Sequence, residues 1–567
     1  MRSPFSRPRP ASPRPTQDVT IPPPETGIET LGVVTIDSDD VDSHCTAYTH
    51  STHDSKAASA ASTPDSEKTL GTEKTIAATT TSDTEAEYGV PTLSTGDAES
   101  ALLAEPHLST VRQVILAGVM MLSVFLSTLS SQSVIVTVPR LASALHVSAV
   151  QAQWVASSYT LAYGCALLPA GRLSDVFGRR LPFLLGLGFS TLFNAVSGPV
   201  RSLIPLCILR ALAGLGLAIA TPAAFGIIGV NFRGRARTTA YACMSLGNPV
   251  GAALAMLLGG IMAQRDAFYL FYVLAGISAL PLALGFVIPR DRATDADRRI
   301  DIPGSVMITA AMALLTFSLA QSAIAGWKSY VPGTLVLSVV LLVAFGFWEH
   351  RLEKRGGRPI VKLSMLAAQH GKMALVALCG FLTFVAVSGW VLLVSLYYQD
   401  LKGLSPFDSA VHTLPASVVG VFAAGAVLYL VPRFPASWII TIGGLSSGLS
   451  CFLYVVKPAN LTYWAIEFVS AVLLPFGADF TVGTGSILMS NLARDEDQST
   501  AGGVFQTAVQ LGNAIGVCCA SLLAEGKPGM AGLKDAFGFC AAFPWAVAII
   551  AAVGFRGMGR AGDVRHS

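Results

Sequence analysis

The chain has 567 residues, of which 52% are hydrophobic and only 13% charged, and its mean hydropathy is +0.57. This composition excludes an ordinary soluble globule and points to a polytopic membrane protein. The net charge of +3 is spread over loops and gives no reason to expect nucleic acid as a partner. The nine cysteines fall mostly in apolar runs without CxxC or Cys/His spacing, so no metal site is expected.

From Met1 to about residue 110 the chain is rich in Ser, Thr, Pro, Asp and Glu, with too little apolar surface to offset the entropy of ordering. A disordered cytoplasmic tail is expected there. Its opening is basic, with Arg2, Arg7, Arg9 and Arg14 among prolines. No apolar core follows it, so it does not read as a secretory signal, and the first span is expected to direct insertion. The Ser/Thr density permits phosphorylation, the alternative to a merely solvated tail.

Apolar runs of roughly 18 to 28 residues then recur, each long enough to cross about 30 Å of hydrocarbon as a helix. About fourteen spans are predicted, starting at Val111, Ala152, Leu181, Ile204, Thr238, Phe268, Pro303, Val331, Met373, Ser409, Trp438, Leu461, Ala501 and Ala536. Between the second and third lies the polar stretch from Gly171 to Arg180, which reads as a tight loop at a membrane surface. The same side holds Arg233, Arg235, Arg237, Arg290, Arg292, Arg298, Arg299, Arg351, Lys354, Arg355 and Arg358. Roughly eighteen Lys/Arg on that side against about eight on the other place it, and both termini, in the cytoplasm.

The expected organisation is a six-helix bundle over 111–288, basic linkers and two inserted helices over 289–371, a second six-helix bundle over 372–556, and a cytoplasmic tail over 557–567. Such an arrangement suggests an internal duplication, which residue matching alone does not demonstrate. Glycines and prolines inside the spans, such as Gly186, Gly214, Gly216, Pro249 and Pro475, mark close helix contacts and broken helices.

Gly171, Leu173, Asp175, Gly178, Arg179 and Arg180 fill the pattern Gly-x-Leu-x-Asp-x-x-Gly-Arg-Arg/Lys, by which the chain resembles the major facilitator superfamily. The resemblance implies an all-helical fold with a central cavity between two bundles, and it makes this motif a cytoplasmic gate. Physically, the glycines permit a tight turn, and a carboxylate at a helix end can pair with arginines or face a helix N-terminus across the interface. The fourth span carries Arg210 to Gly216, similar to the superfamily's Arg-x-x-Gln-Gly-x-Gly with Ala213 for glutamine. An arginine in hydrocarbon either faces the bundle interior, holding substrate, an acid or a carbonyl, or snorkels to the outer surface. Gly247, Pro249 and Gly251 in the fifth span resemble the antiporter Gly/Pro motif in altered form; close helix packing needs no more than these residues.

Tyr397 to Gln399, Leu404 to Pro406, Leu414-Pro415, and Gly502 to Gln506 with Gln510, Gly512 and Gly516 resemble the fourteen-helix drug:proton antiporter family, most closely its fungal multidrug or metabolite efflux members. The resemblance runs from about Val111 to Phe555. In that family the first helix offers an Asp in Leu-Asp-x-Thr-Ile-Val; here the aligned stretch from Leu129 through Gln132 puts Ser130 in its place. Proton coupling needs a carboxylate that alternates between protonated and charged forms inside the membrane. Two acids read as deep in apolar context, both on the twelfth span. Asp479, four residues after Pro475, is the first candidate for coupling, with a structural hydrogen-bonded acid as its alternative. Glu467 reads as a vestibule residue of the outer half, and Arg210 completes the candidate set.

Tyr159, Tyr163, Gln132, Trp390, Tyr397, Gln506 and Gln510 are the candidate lining of a substrate cavity, by stacking, cation–π contact or hydrogen bonding. Helix packing is the alternative for the two glutamines, and interfacial anchoring is the reading for Trp154 and Tyr398. Asn460-Leu461-Thr462 is a glycosylation sequon close to a span.

The leading expectation is a transporter exporting drugs, toxins or secondary metabolites by proton antiport with alternating access. Its partners are a small-molecule substrate and the lipid bilayer; it works as a monomer, without a cofactor, on the proton gradient. The cell membrane is its expected site and the vacuolar membrane the alternative. A uniporter or importer of a small polar solute is a second reading, and a non-transporting membrane sensor, whose function would need the residues before Val111, a third. No enzyme is expected, and no Gly-x-x-x-x-Gly-Lys-Ser/Thr loop supports an ATP-driven pump.

Overall fold

The computed structural model describes residues 109–289, 299–325, 327, 330–458 and 461–556. The predicted tails, most of the basic linker from Arg290 to Arg299, and Asn460 lie outside these. Among the described residues there are fourteen helices of 16 residues or more and no strand. In chain order they are α1 (Thr110–Leu145), α2 (Trp154–Phe177), α3 (Arg180–Ser197), α4 (Leu203–Asn231), α5 (Gly234–Gln264), α6 (Tyr269–Leu284), α7 (Ile302–Ala325), α8 (Tyr330–Lys354), α9 (Leu363–Leu396), α10 (Pro406–Leu430), α11 (Ala436–Val456), α12 (Glu467–Leu492), α13 (Gln498–Glu525) and α14 (Met530–Gly554).

Apolar runs of this length fold as helices because hydrocarbon offers backbone N–H and C=O groups no other partner. Twelve of the fourteen are long and apolar enough to cross a membrane; the other two, α2 and α3, carry Arg172, Asp175 and Arg180 around the turn that joins them. Large apolar side chains such as Ile204, Leu257, Phe347, Phe422 and Trp438 are exposed on the outside of the helices, a surface suited to lipid chains.

Three predicted starts shift by six residues or more, among them the fourteenth, which begins at Met530 rather than Ala536. The twelfth helix begins at Glu467 rather than Leu461, because the preceding segment turns back and Tyr463 donates its hydroxyl to the His412 carbonyl. The ninth begins early, at Leu363, but Gln369, His370 and Gly371 have φ of 50°, 62° and 74°, a break just ahead of the predicted start at Met373.

Helix pairing repeats along the chain. The first six helices pack as α1 on α5, α2 on α4, α3 on α4 and α6, and α1 on α6. Eight helices later the pattern returns as α9 on α13, α10 on α12, α11 on α12 and α14, and α9 on α14. The contacts repeat chemically as well. Gly247 and Gly251 of α5 lie against the carbonyls of Met121 and Phe125 in α1, and Gly512 and Gly516 of α13 lie against those of Phe381 and Val385 in α9. A Cβ at any of the four would strike a main-chain oxygen, so glycine is what lets each pair touch.

The two sets of six meet where α2 and α4 pack on α13 and where α5 packs on α10 and α12. Of the remaining pair, α8 packs mainly on α7, and α7 reaches both sets through α2 and α13. Its Phe317 ring lies 5.9 Å from that of Trp154, and Ser322 Oγ lies 3.2 Å from Cys518 Sγ.

Candidate functional site

The stretch from Gly171 to Arg180 is mostly helix, not loop. α2 runs through Phe177, and the turn consists of Gly178, at φ 89° and ψ 149°, and Arg179. Gly178 adopts a backbone that other residues resist. Gly171 serves a different purpose: a Cβ there would meet the Ser499 carbonyl, so its absence brings α2 against α13.

That approach puts Asp175 over the start of α13. Its Oδ1 accepts the Ser499 N–H at 3.1 Å, and its Oδ2 accepts the Thr500 N–H at 2.7 Å and the Thr500 hydroxyl at 2.8 Å. First-turn amides have no partner within their own helix, and the positive end of the helix dipole favours a carboxylate there. Arg179 Nη2 donates to Asp175 Oδ1 at 3.1 Å and to the Asp495 carbonyl at 2.6 Å, and its Nε reaches Ser499 Oγ at 3.3 Å. Asp175 and Arg179 are both buried. Leu173 is half-buried, and Arg180 Nη2 donates to the Phe286 carbonyl at 3.0 Å, within its own set of six.

Further pairs surround this contact. Asp497 lies 3.6 Å from Arg172 and 2.9 Å from Lys362, Asp495 lies 3.5 Å from Arg233, and Arg237 Nη2 donates to Asn491 Oδ1 at 2.5 Å. Together they close the basic face of the molecule between the two sets. Sequence reasoning missed this second half of the contact; its signal was the acidic run Asp495-Glu496-Asp497, placed among basic turns.

Arg210 is fully buried and does not snorkel. Nη1 donates to Ser130 Oγ at 2.9 Å and Asn194 Oδ1 at 3.2 Å, Nη2 to the Ser130 carbonyl at 3.0 Å, and Nε to the Val155 carbonyl at 3.4 Å. The guanidinium also lies 4.4 Å from the Tyr159 ring centroid. It therefore ties α1, α2, α3 and α4 together, and Ser130 accepts it where the resembled family has an acid.

Asp479 lies midway along α12 and is 8% exposed. Among the described residues it has no hydrogen-bond or ion-pair partner. A Cβ on Gly420 of α10 would lie 3.2 Å from Asp479 Oδ2 and 3.0 Å from Pro249 Cβ of α5. The carboxyl and the proline of the opposite set thus both border the point that α10 leaves without a side chain. Gly247 and Gly251 face α1, whereas Pro249 faces this meeting point.

Glu467 is not a vestibule residue. It is 1% exposed and accepts from Lys402 Nζ at 2.7 and 2.9 Å and from Tyr397 OH at 3.0 Å, with Lys457 Nζ at 3.4 Å. The wide turn Tyr397–Leu401 delivers Lys402 to it, and the cluster pins the ends of α9, α11 and α12. A cavity of about 300 Å³ lies beside it, lined by Tyr397, Lys402, Lys457 and Lys534 among others.

The predicted cavity lining does not come together as one surface. Tyr159 and Tyr163 stack with centroids 6.3 Å apart, and Tyr163 OH donates to Thr221 at 3.2 Å. Trp390 is buried in the second set, where its indole N–H donates to Ser470 Oγ at 2.9 Å, and Tyr397 belongs to the Glu467 cluster; neither lies between the sets. Tyr398, read as an interfacial anchor, is buried as well. Gln510 faces Gly164 of α2 across the interface and accepts from Asn513 at 3.0 Å; Gln506, one turn before it, is buried. Gln132 is exposed.

Residues 120–517 match the Major Facilitator Superfamily. The chain is 30% identical to the tetracenomycin C resistance and export protein of Streptomyces glaucescens, over 73% of this chain and 75% of that one. It is 27% identical to the low affinity ammonium transporter of Saccharomyces cerevisiae, over 69% of this chain and 77% of that one. Its fold is similar to that of the human organic anion transporter MFSD10 (TETRAN), with a TM-score of 0.58 and 16% identity over 77% of this chain and 99% of that one. A match over most of the helical region, on a fold of two six-helix sets with the α2–α3 turn of one packed on α13 of the other, leaves one conclusion: the chain belongs to the Major Facilitator Superfamily.

Proposed function

We propose that the protein exports small organic molecules by alternating access in exchange for protons, with Asp479 as the coupling acid. The observation that carries this reading is the isolation of Asp479, a buried carboxyl with no partner among the described residues, where α12, α10 and the Pro249 region of α5 converge. Arg210 and Glu467, the other buried charges considered for coupling, are saturated by neighbours. The name of the Streptomyces relative supports export as the direction.

In this reading all fourteen helices cross the membrane, and residues 110–289 and 363–556 form two bundles that rock about the interface of α2, α4 and α5 with α10, α12 and α13. The basic face is cytoplasmic, and the contact of Asp175 with α13 is its gate, closed in this conformation. The chain acts as a monomer in the cell membrane.

The test uses purified protein in vesicles with an imposed pH gradient and a panel of drugs and metabolites. Compound-dependent proton movement is expected, and a panel-wide lack of such movement would refute antiport. A second reading, uptake of a small polar solute, draws on the yeast relative's name and on Ser130. Net inward flux of ammonium without a proton gradient would favour it over export.

A further inference from the structure

Two buried carboxyl groups meet at the basic-face end of the inserted helix pair, outside the interface of the two bundles. Asp301 precedes α7 and caps it, Oδ1 accepting the Gly304 N–H at 3.1 Å, while its Oδ2 accepts the Trp348 indole N–H at 2.8 Å. Glu349, near the end of α8, is 1% exposed, although sequence reasoning had ranked no acid of this pair as deep. Its Oε2 accepts the Val361 N–H at 3.0 Å, and its Oε1 is buried with no donor in reach. Asp301 Oδ2 borders the same small space beside Gly304. A Cβ on Gly304 would press on both Asp301 Oδ2 and Glu349 Oε1, so the two oxygens share the space that glycine leaves.

Like charges packed this closely oppose one another, and one proton shared between the two carboxyl groups removes the conflict. A proton between them supplies the donor that Glu349 Oε1 lacks. The polar groups that face Glu349 are the Val361 N–H, whose hydrogen bond it accepts, and Asp301 across Gly304. The other charges on the packed elements are Arg299 before α7, His350, Arg351, Glu353 and Lys354 on α8, and Arg355 and Arg358 in the segment that follows. On α2, Asp175 and Arg172 are engaged with α13 and Asp497.

The pair also holds a lever. Ile360 and Val361 are buried in a small core with Ile308 and Met312 of α7 and Cys165 and Leu168 of α2. The next residue, Lys362, reaches Asp497 at 2.9 Å and Glu496 at 3.4 Å in the gate. We propose that Asp301 and Glu349 form a second proton-binding site, whose proton comes from the cytoplasm and keeps Val361 seated and Lys362 clamped on Asp497. When the cytoplasmic side turns alkaline the proton leaves, the two charges repel, Glu349 moves away from Asp301 and draws with it the Val361 N–H that it still holds, and the gate loosens. Resting on the antiport reading, protons delivered inward would close the gate on the side where they accumulate.

The test uses the full chain in lipid nanodiscs and two readouts that need no transported compound, so it stands apart from the export reading. Infrared difference spectra between acid and alkaline pH should show a protonated-carboxyl band that disappears in Glu349→Gln and in Asp301→Asn. Hydrogen exchange at the Ser499 and Thr500 amides, corrected for intrinsic pH dependence, should speed up severalfold in the wild type as pH rises. It should stay slow at all pH values in Glu349→Gln, which keeps the donor permanently. In Lys362→Ala the infrared band should remain while the exchange response is lost. A band unchanged in both carboxyl variants would overturn the shared proton, and a wild-type exchange profile in both would overturn its link to the gate. Asp301→Asn serves if Glu349→Gln fails to fold.

Discussion

Arg210 is buried with four hydrogen bonds and no carboxylate among its described partners, whereas Asp479 is buried as a carboxyl with no donor. The first arrangement is saturated and the second has no described donor, which is why we propose Asp479 as the coupling acid. Replacing Asp479→Asn should abolish proton movement driven by compound while leaving compound exchange at equal pH in place; retained coupling would remove Asp479 from the mechanism. Arg210→Lys tests the structural role of its neighbour. An ammonium group cannot reach Ser130, Asn194 and Val155 together, and hydrogen bonds to charged groups contribute about 1.5–3 kcal/mol each. A lower Tm in detergent, with compound binding retained by the protein still folded, is the expected result. Both residues were legible in the sequence as charges inside apolar runs. Their company was not, because Ser130, Asn194, Gly420 and Pro249 come from helices that only the fold brings near.

At the scale of helices, the number of long helices was legible because length and hydropathy are local properties, and the predicted starts fall near the observed ones for most helices; twelve of them meet the length and hydropathy of a span. The duplication was suggested by the arrangement of spans but not demonstrable, because it resides in which helices touch rather than in which residues match. The paired glycines make it testable. Gly247→Ala and Gly512→Ala each force a methyl against a main-chain carbonyl, and overpacking of this kind costs about 1–3 kcal/mol. Both should lower Tm to a similar degree, while Gly260→Ala, where a Cβ meets nothing within 4 Å and alanine is the better helix former, should not lower it. Unequal losses at Gly247 and Gly512 would argue against equivalent packing in the two bundles. Glu349 was passed over for a related reason: hydropathy places it at a helix end, and only the fold of Ile360 and Val361 over it shows that the end is covered.

Across the whole molecule, the conformation is set by how strongly the basic face is closed. The buried contact of Asp175 and Arg179 with Ser499, Thr500 and Asp495 is the centre of that closure, and the Arg233–Asp495 pair lies exposed at its rim. Charge at a helix N-terminus contributes up to about 2 kcal/mol when partly buried, and Asp175→Asn also leaves the buried Arg179 without its carboxylate. A loss of about 2–3 kcal/mol would shift the ratio of closed to open forms by roughly 30- to 150-fold. An exposed pair contributes about 0–1 kcal/mol and weakens with salt. Asp175→Asn should therefore accelerate hydrogen exchange at the start of α13 by more than tenfold at any salt concentration, while Arg233→Ala changes it little and only at low salt. Equal acceleration by the two substitutions would mean that closure is a diffuse attraction between a basic and an acidic surface, and the carboxylate seated on the first turn of α13 would lose its place as the latch.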